Sequence, residues 1–246
     1  MTEQQWKVFC DFKRELKQKI DFWTASTPEL PAFQKEAAEL TKTPSYPFEL
    51  PLVYNKALDD ITIQDDIKLI VIGDNPGKDE QLEKNSRYLV GQAGKIAEGY
   101  FRRNPELGID FRRNAIILNK TPIHSAKTNQ LKIISKKGGE KITKLIQESQ
   151  IWMAEKTAAL HNALATELWL VGYSELKPKG IFADYRETLK NSCTAEAWDR
   201  TYVFQHFSMN RFSIDLADFI KANQKEKVPL AQNIHELGLL HKNEIF

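Results

Sequence analysis

The apolar positions of this chain change period along its length. Residues 1 to 25 place Trp6, Phe9, Phe12 and Leu16 at helical spacing among Asp, Lys, Arg and Glu, which predicts an amphipathic helix. A second helix is expected over 30 to 40. The segment TPSYPFELP at 43 to 51 carries three prolines and predicts an extended connection. Leu69, Ile70, Val71 and Ile72 then form an unbroken apolar run, the pattern of a strand buried on both faces of a parallel sheet. With this strand at 67 to 73, further strands are expected at 114 to 119, 167 to 172 and 201 to 206. Helices are expected at about 93 to 103 and 141 to 165, in a stretch ending near 190, and at 213 to 224. This alternation predicts an α/β fold of three layers (αβα), with a central four-stranded parallel sheet and an N-terminal helical extension. One domain is expected, with the extension over 1 to 65, the core over 66 to 224 and a surface tail over 225 to 246.

The strand at 67 to 73 runs into the turn GDNPG at 73 to 77. Gly73 and Gly77 permit close backbone approach or positive φ, Pro76 fixes one dihedral, and Asp74 and Asn75 project short polar groups. An ordinary β-to-α turn has the same look. What raises its significance is that two later strands also end in polar residues, AIILN at 115 to 119 with Asn119, and VFQHFS at 203 to 208 with His206. Parallel sheets bind ligands at their C-terminal edge, so these tips are expected to converge there.

Composition narrows the chemistry. The chain has 246 residues, 41% of them hydrophobic, enough for a sizeable core. Its two cysteines, Cys10 and Cys193, lie far apart in no metal-like spacing, so neither a disulfide framework nor a metal cluster is indicated, and a reduced, cytoplasmic protein is expected. The five histidines show no paired spacing, and no dinucleotide or P-loop glycine pattern occurs, so no metal and no cofactor are expected. Charged residues throughout 1 to 25 exclude a signal peptide or membrane span there. His124, in TPIH, stays a candidate beside its alternative as a loop histidine.

Net charge is only +2, but its distribution is uneven. Arg102, Arg103, Arg112 and Arg113 precede the second strand, and Lys127, Lys132, Lys136, Lys137, Lys141 and Lys144 follow it. Such clusters hold phosphates or simply solvate a surface. SKKGG at 135 to 139 is expected to be a mobile loop in which Lys136 and Lys137 meet a phosphate.

Over residues 66 to 222 these motifs, with RYLVGQAG at 87 to 94, resemble the uracil-DNA glycosylase superfamily in order and residue type. That resemblance implies hydrolysis of an N-glycosidic bond in DNA by a monofunctional, monomeric base-excision-repair enzyme with no membrane role. Two cysteines cannot hold the iron–sulfur cluster of one branch, so a cluster-free member is implied. Asn75 would hold the attacking water and His206 would donate to the base carbonyl. Asp74 stands where the cluster-bearing branch has Glu and would reinforce the site. Asn119 would read the N3–H and O4 edge of uracil, with Gly73, Pro76, Gly77 and Ser208 shaping the pocket. Gly77 stands where a tyrosine excludes thymine in the most selective branch, which implies room for 5-modified uracil. Tyr88 would stack on the base or, alternatively, pack on the core. The last motif departs from the family: Phe207 replaces a proline, leaving the loop less constrained, and Met209, Asn210 and Arg211 stand where a wedge fills the stack. That departure supports the alternative of a catalytically weak protein binding nucleic acid or a protein partner through the same pocket.

Overall fold

A computed structural model describes residues 1–246. Its center is a four-stranded sheet of β1 (Leu69–Gly73), β2 (Ala115–Asn119), β3 (Glu167–Val171) and β4 (Thr201–Phe204), all parallel, in the order β2-β1-β3-β4. The unalternated strands follow from the two faces they fill. Ile70, Ile72, Ile116, Leu118, Leu168, Leu170 and Val203 point into one apolar cluster, while Leu69, Val71, Ile117, Trp169, Val171, Tyr202 and Phe204 point into a second. Successive residues face opposite layers, and both layers are apolar.

Helices cover both faces. On the first lie α1 (Glu3–Ser26), α2 (Leu30–Leu40), α4 (Gln130–Leu164) and α5 (Ala183–Ser192). On the second lie α3 (Gln92–Arg103), α7 (Arg211–Ala222) and α8 (Leu230–Ile245), and the short α6 (Ala195–Asp199) precedes β4. The N-terminal helices belong to the core: Phe9, Phe12, Leu16, Ile20 and Trp23 line one face of α1 and pack on α4. No helix is long and apolar enough to cross a membrane.

Two expectations about connections are corrected. SKKGG is not a mobile loop. Residues 135 to 138 continue the first part of α4, anchored by the buried Leu131 and Ile134, and the helix bends at Gly139, whose φ is 66°. The Ser135 and Thr143 hydroxyls meet across that bend at 2.8 Å. The segment after 225 is not a surface tail either. Ile234, Leu237, Gly238, His241 and Ile245 recur at helical spacing and are buried, which lays α8 along β4.

Gly238 makes that contact possible. A Cβ there would lie 2.7 Å from both Phe204 Cζ and Tyr202 Cβ. Gly238→Ala gains helix propensity of about 1 kcal/mol, but overpacking of this kind costs about 1–3 kcal/mol. The expected outcome is a net loss of stability of up to about 2 kcal/mol, read as a lower urea midpoint at unchanged m-value.

Candidate active site

The tips of β1 and β2 are locked side by side, with Gly73 paired in register to Asn119. A side chain at position 73 is excluded, because a Cβ would lie 2.5 Å from Asn119 Oδ1. The next residue, Lys120, ties the turn down: its backbone N–H donates to the carbonyls of Gly73 and Asp74 at 3.0 and 3.1 Å. Its ammonium is wholly buried and donates to Asp74 Oδ1 and to the Val171 carbonyl, both at 2.5 Å. The Thr128 hydroxyl reaches Asp74 Oδ2 at 3.4 Å. Beyond β3, Gly172 passes beneath the carboxylate with φ of 95°, and a Cβ there would meet Asp74 Oδ1 at 2.2 Å. Lys120, Thr128 and Gly172 escaped the sequence reading. The available signal was a lysine directly after an apolar strand, where burial demands a partner.

Asp74, Thr128, Gly172, His206, Ser208, Met209 and Arg211 line a single cavity of about 530 Å³ at the C-terminal edge of the sheet, walled on the far side by Glu175, Asp215 and Asp218. His206 faces it in a defined tautomer. The Ser208 N–H donates to its Nδ1 at 3.1 Å, with the Ser208 hydroxyl 2.9 Å away, so in the neutral ring the proton sits on Nε2. Burial holds the imidazole below its ordinary pKa; Asp74 pulls the other way and Lys120 adds to the lowering. The site therefore combines a carboxylate with a neutral imidazole donor.

The loop carrying the last motif is anchored rather than loosened by Phe207. Phe207 is fully buried, its ring 5.1 Å from Phe212 and 6.2 Å from Phe111. Burial supplies the restraint that proline would have supplied through φ. Met209 and Asn210 then follow at φ of 54° and 56°, a left-handed conformation that costs Met209 roughly 1–2 kcal/mol and that asparagine tolerates. They leave Met209 75% exposed at the cavity mouth.

Asn75 is turned away from this cavity. Its Nδ2 donates to the Ser125 carbonyl and hydroxyl at 3.0 and 2.9 Å and to the Pro76 carbonyl at 3.1 Å, which braces the segment after β2. The buried Pro76 is held on a second side by His124, whose Nδ1 donates to the Pro76 carbonyl at 2.9 Å while Nε2 accepts from Tyr46. Burial lowers His124 to about 4, so it is a neutral brace. Gly77 needs neither close approach nor positive φ, since a Cβ there meets nothing within 4 Å; its N–H donates to Glu80. Asn119 is 1% exposed and its Nδ2 has no protein partner.

Three expected contacts lie elsewhere. Tyr88 is buried and its hydroxyl donates to the Val53 carbonyl at 2.6 Å, so it packs on the core and lines a separate cavity beside Asn55 and Ile117. Lys136 and Lys137 sit on α4 away from the cavity, and Lys137 pairs with Glu36 on α2 at 2.6 Å. Of the other lysines in that stretch, Lys141 and Lys144 are ion-paired as well.

No protein-family model, no curated protein and no solved structure matches this chain.

Glu80 gives the first-motif turn a pH dependence. It is buried, and burial raises its carboxyl from 4.5 to about 7, against the opposing N–H groups of Gly77 and Leu89. Between those values the folded chain holds a proton that the unfolded chain releases, so stability falls as pH rises from about 4.5 to 7. Glu80→Gln removes that loss. Its stability relative to wild type is expected to improve by about 2–3 kcal/mol between pH 5 and pH 8 in urea unfolding, and a constant difference would refute the assignment.

Proposed function

We propose that this protein hydrolyses the N-glycosidic bond of uracil or a related deaminated base in DNA, without a covalent intermediate. The observation that carries the reading is the joint presence of the Asp74 carboxylate and the neutral His206 imidazole on one cavity wall. Breaking this bond leaves a cationic, oxocarbenium-like sugar and an anionic base. Asp74 faces the sugar, offsets its positive charge and accepts the proton of the water that attacks the anomeric carbon. His206 Nε2–H donates to the base carbonyl as negative charge grows there, and one such oriented donor is typically worth about 3 kcal/mol of barrier. Asn119 is buried at the tip of β2 and does not line the cavity, but its Nδ2 lacks a partner, so it is the amide left to complement the N3–H and O4 edge of uracil.

Charge around the cavity supports a division of labor. Glu175, Asp215 and Asp218 suit a neutral base and a sugar that gains positive charge, and repel a phosphate. Phosphate contact therefore falls to Arg211 at the mouth, with the exposed Met209 beside it as the side chain that fills the vacated stack. The same acidic wall favors a second reading, hydrolysis of a free nucleoside. Comparing base release from single-stranded and duplex uracil oligonucleotides with release from free deoxyuridine separates the two, since a nucleoside hydrolase would favor the last.

Asp74→Asn and His206→Ala are each expected to slow base release from uracil oligonucleotides by about 10²–10³-fold with DNA affinity nearly unchanged. Asn75→Ala should cost far less, because its amide nitrogen serves Ser125. In the same assay Asn119→Asp should sharply weaken uracil excision, since it replaces the amide donor with an acceptor that repels O4. Undiminished release in the folded His206 variant would remove it from the mechanism.

A further inference from the structure

We propose that Lys120 is the positioning residue of the site, holding the Asp74 carboxylate aimed into the cavity; this deepens the glycosidic reading and rests on it. Lys120 has no solvent exposure, whereas Asp74, its partner at 2.5 Å, keeps 12% of its side chain open. An ammonium withdrawn from water costs several kcal/mol unless its hydrogen bonds are met, and here they are met by Asp74 Oδ1 and the Val171 carbonyl. The Phe182 ring, 5.0 Å from Nζ, closes another side. With Oδ1 held by Lys120 over Gly172, Oδ2 is left beside Thr128.

Three strand ends meet in this one contact: Asp74 follows β1, Lys120 follows β2 and Val171 ends β3. The ammonium thus sets the carboxylate with the precision of the sheet rather than that of a loop. Burial draws Lys120 below its ordinary pKa, while Asp74 and Glu175 oppose, so the ammonium depends on the carboxylate beside it. Lys120 is not a nucleophile toward the sugar, because it has no surface in the cavity and its amine is engaged on two sides.

The test is a double-mutant cycle of Asp74→Asn and Lys120→Met, read both as base release and as thermal unfolding. In the wild-type background Lys120→Met should lower kcat by about 100-fold, the cost of a misplaced reacting group, with little change in KM. In the Asp74→Asn background the same substitution should change kcat by less than about twofold. Each single variant, left with an unpaired buried charge, should melt roughly 10 °C lower, and the double variant should melt well above the sum of the two losses. Melting needs no substrate, so coupling there with no base release from wild type strikes the glycosidic reading and leaves the pair intact. Additive melting losses, or equal kcat losses in both backgrounds, overturn the proposal. If Lys120→Met does not fold but the double variant does, the charge pair is established by that difference; if neither folds, Lys120 serves packing and the proposal fails.

Discussion

The buried ammonium of Lys120 is the interaction on which the C-terminal edge of the sheet depends. It bridges the residue after β1 and the last carbonyl of β3 from a position just after β2, so the three strand ends cannot shift independently. A buried ion pair is weak evidence of stability by itself, since desolvation offsets much of the attraction. Its stronger consequence is geometric. The Asp74 carboxylate satisfies the ammonium while passing over Gly172, where even a methyl group would collide with it.

Around that fixed charge, the remaining groups are held neutral or held down. His206 is kept neutral by burial and given its tautomer by a backbone N–H, and His124 is neutral because it is wholly enclosed. The turn that bears Asp74 is braced from three directions, by Asn75 to Ser125, by His124 to Pro76 and by Glu80 to Gly77. These residues stand beside the chemistry yet act on the backbone. The strain at Met209 is the counterpart: buried Phe207 and Phe212 on either side hold the chain in a conformation that methionine disfavors, and the result is an apolar side chain standing free at the mouth.

The sequence by itself determined the layered fold, because burial on both faces leaves a trace that needs no partner to be read: four apolar runs without alternation, separated by helical periods. It also indicated which segments line the cavity, since the residues that follow parallel buried strands lie at one edge of the sheet; Asn119, at the tip of β2, is buried and does not line it. Asp74, His206, Ser208, Met209 and Arg211 were legible on that basis, and they share one cavity.

Tertiary structure alone decided what each polar group does. Asp74 and Asn75 are adjacent, short and polar, and nothing local separates them; Ser125 claims one and Lys120 the other from fifty and forty-six residues away. Tyr88 was drawn into the core by the Val53 carbonyl, a partner with no fixed offset in sequence. The glycines of SKKGG read as a loop because glycine frees the backbone, but the buried Leu131 and Ile134 carried the helix up to the bend. The segment after 225 read as polar surface until β4 supplied the apolar face against which its helical spacing packs. Periodicity reports how much of a segment is buried; the direction of a side chain in a turn is set by whichever distant group satisfies its hydrogen bonds.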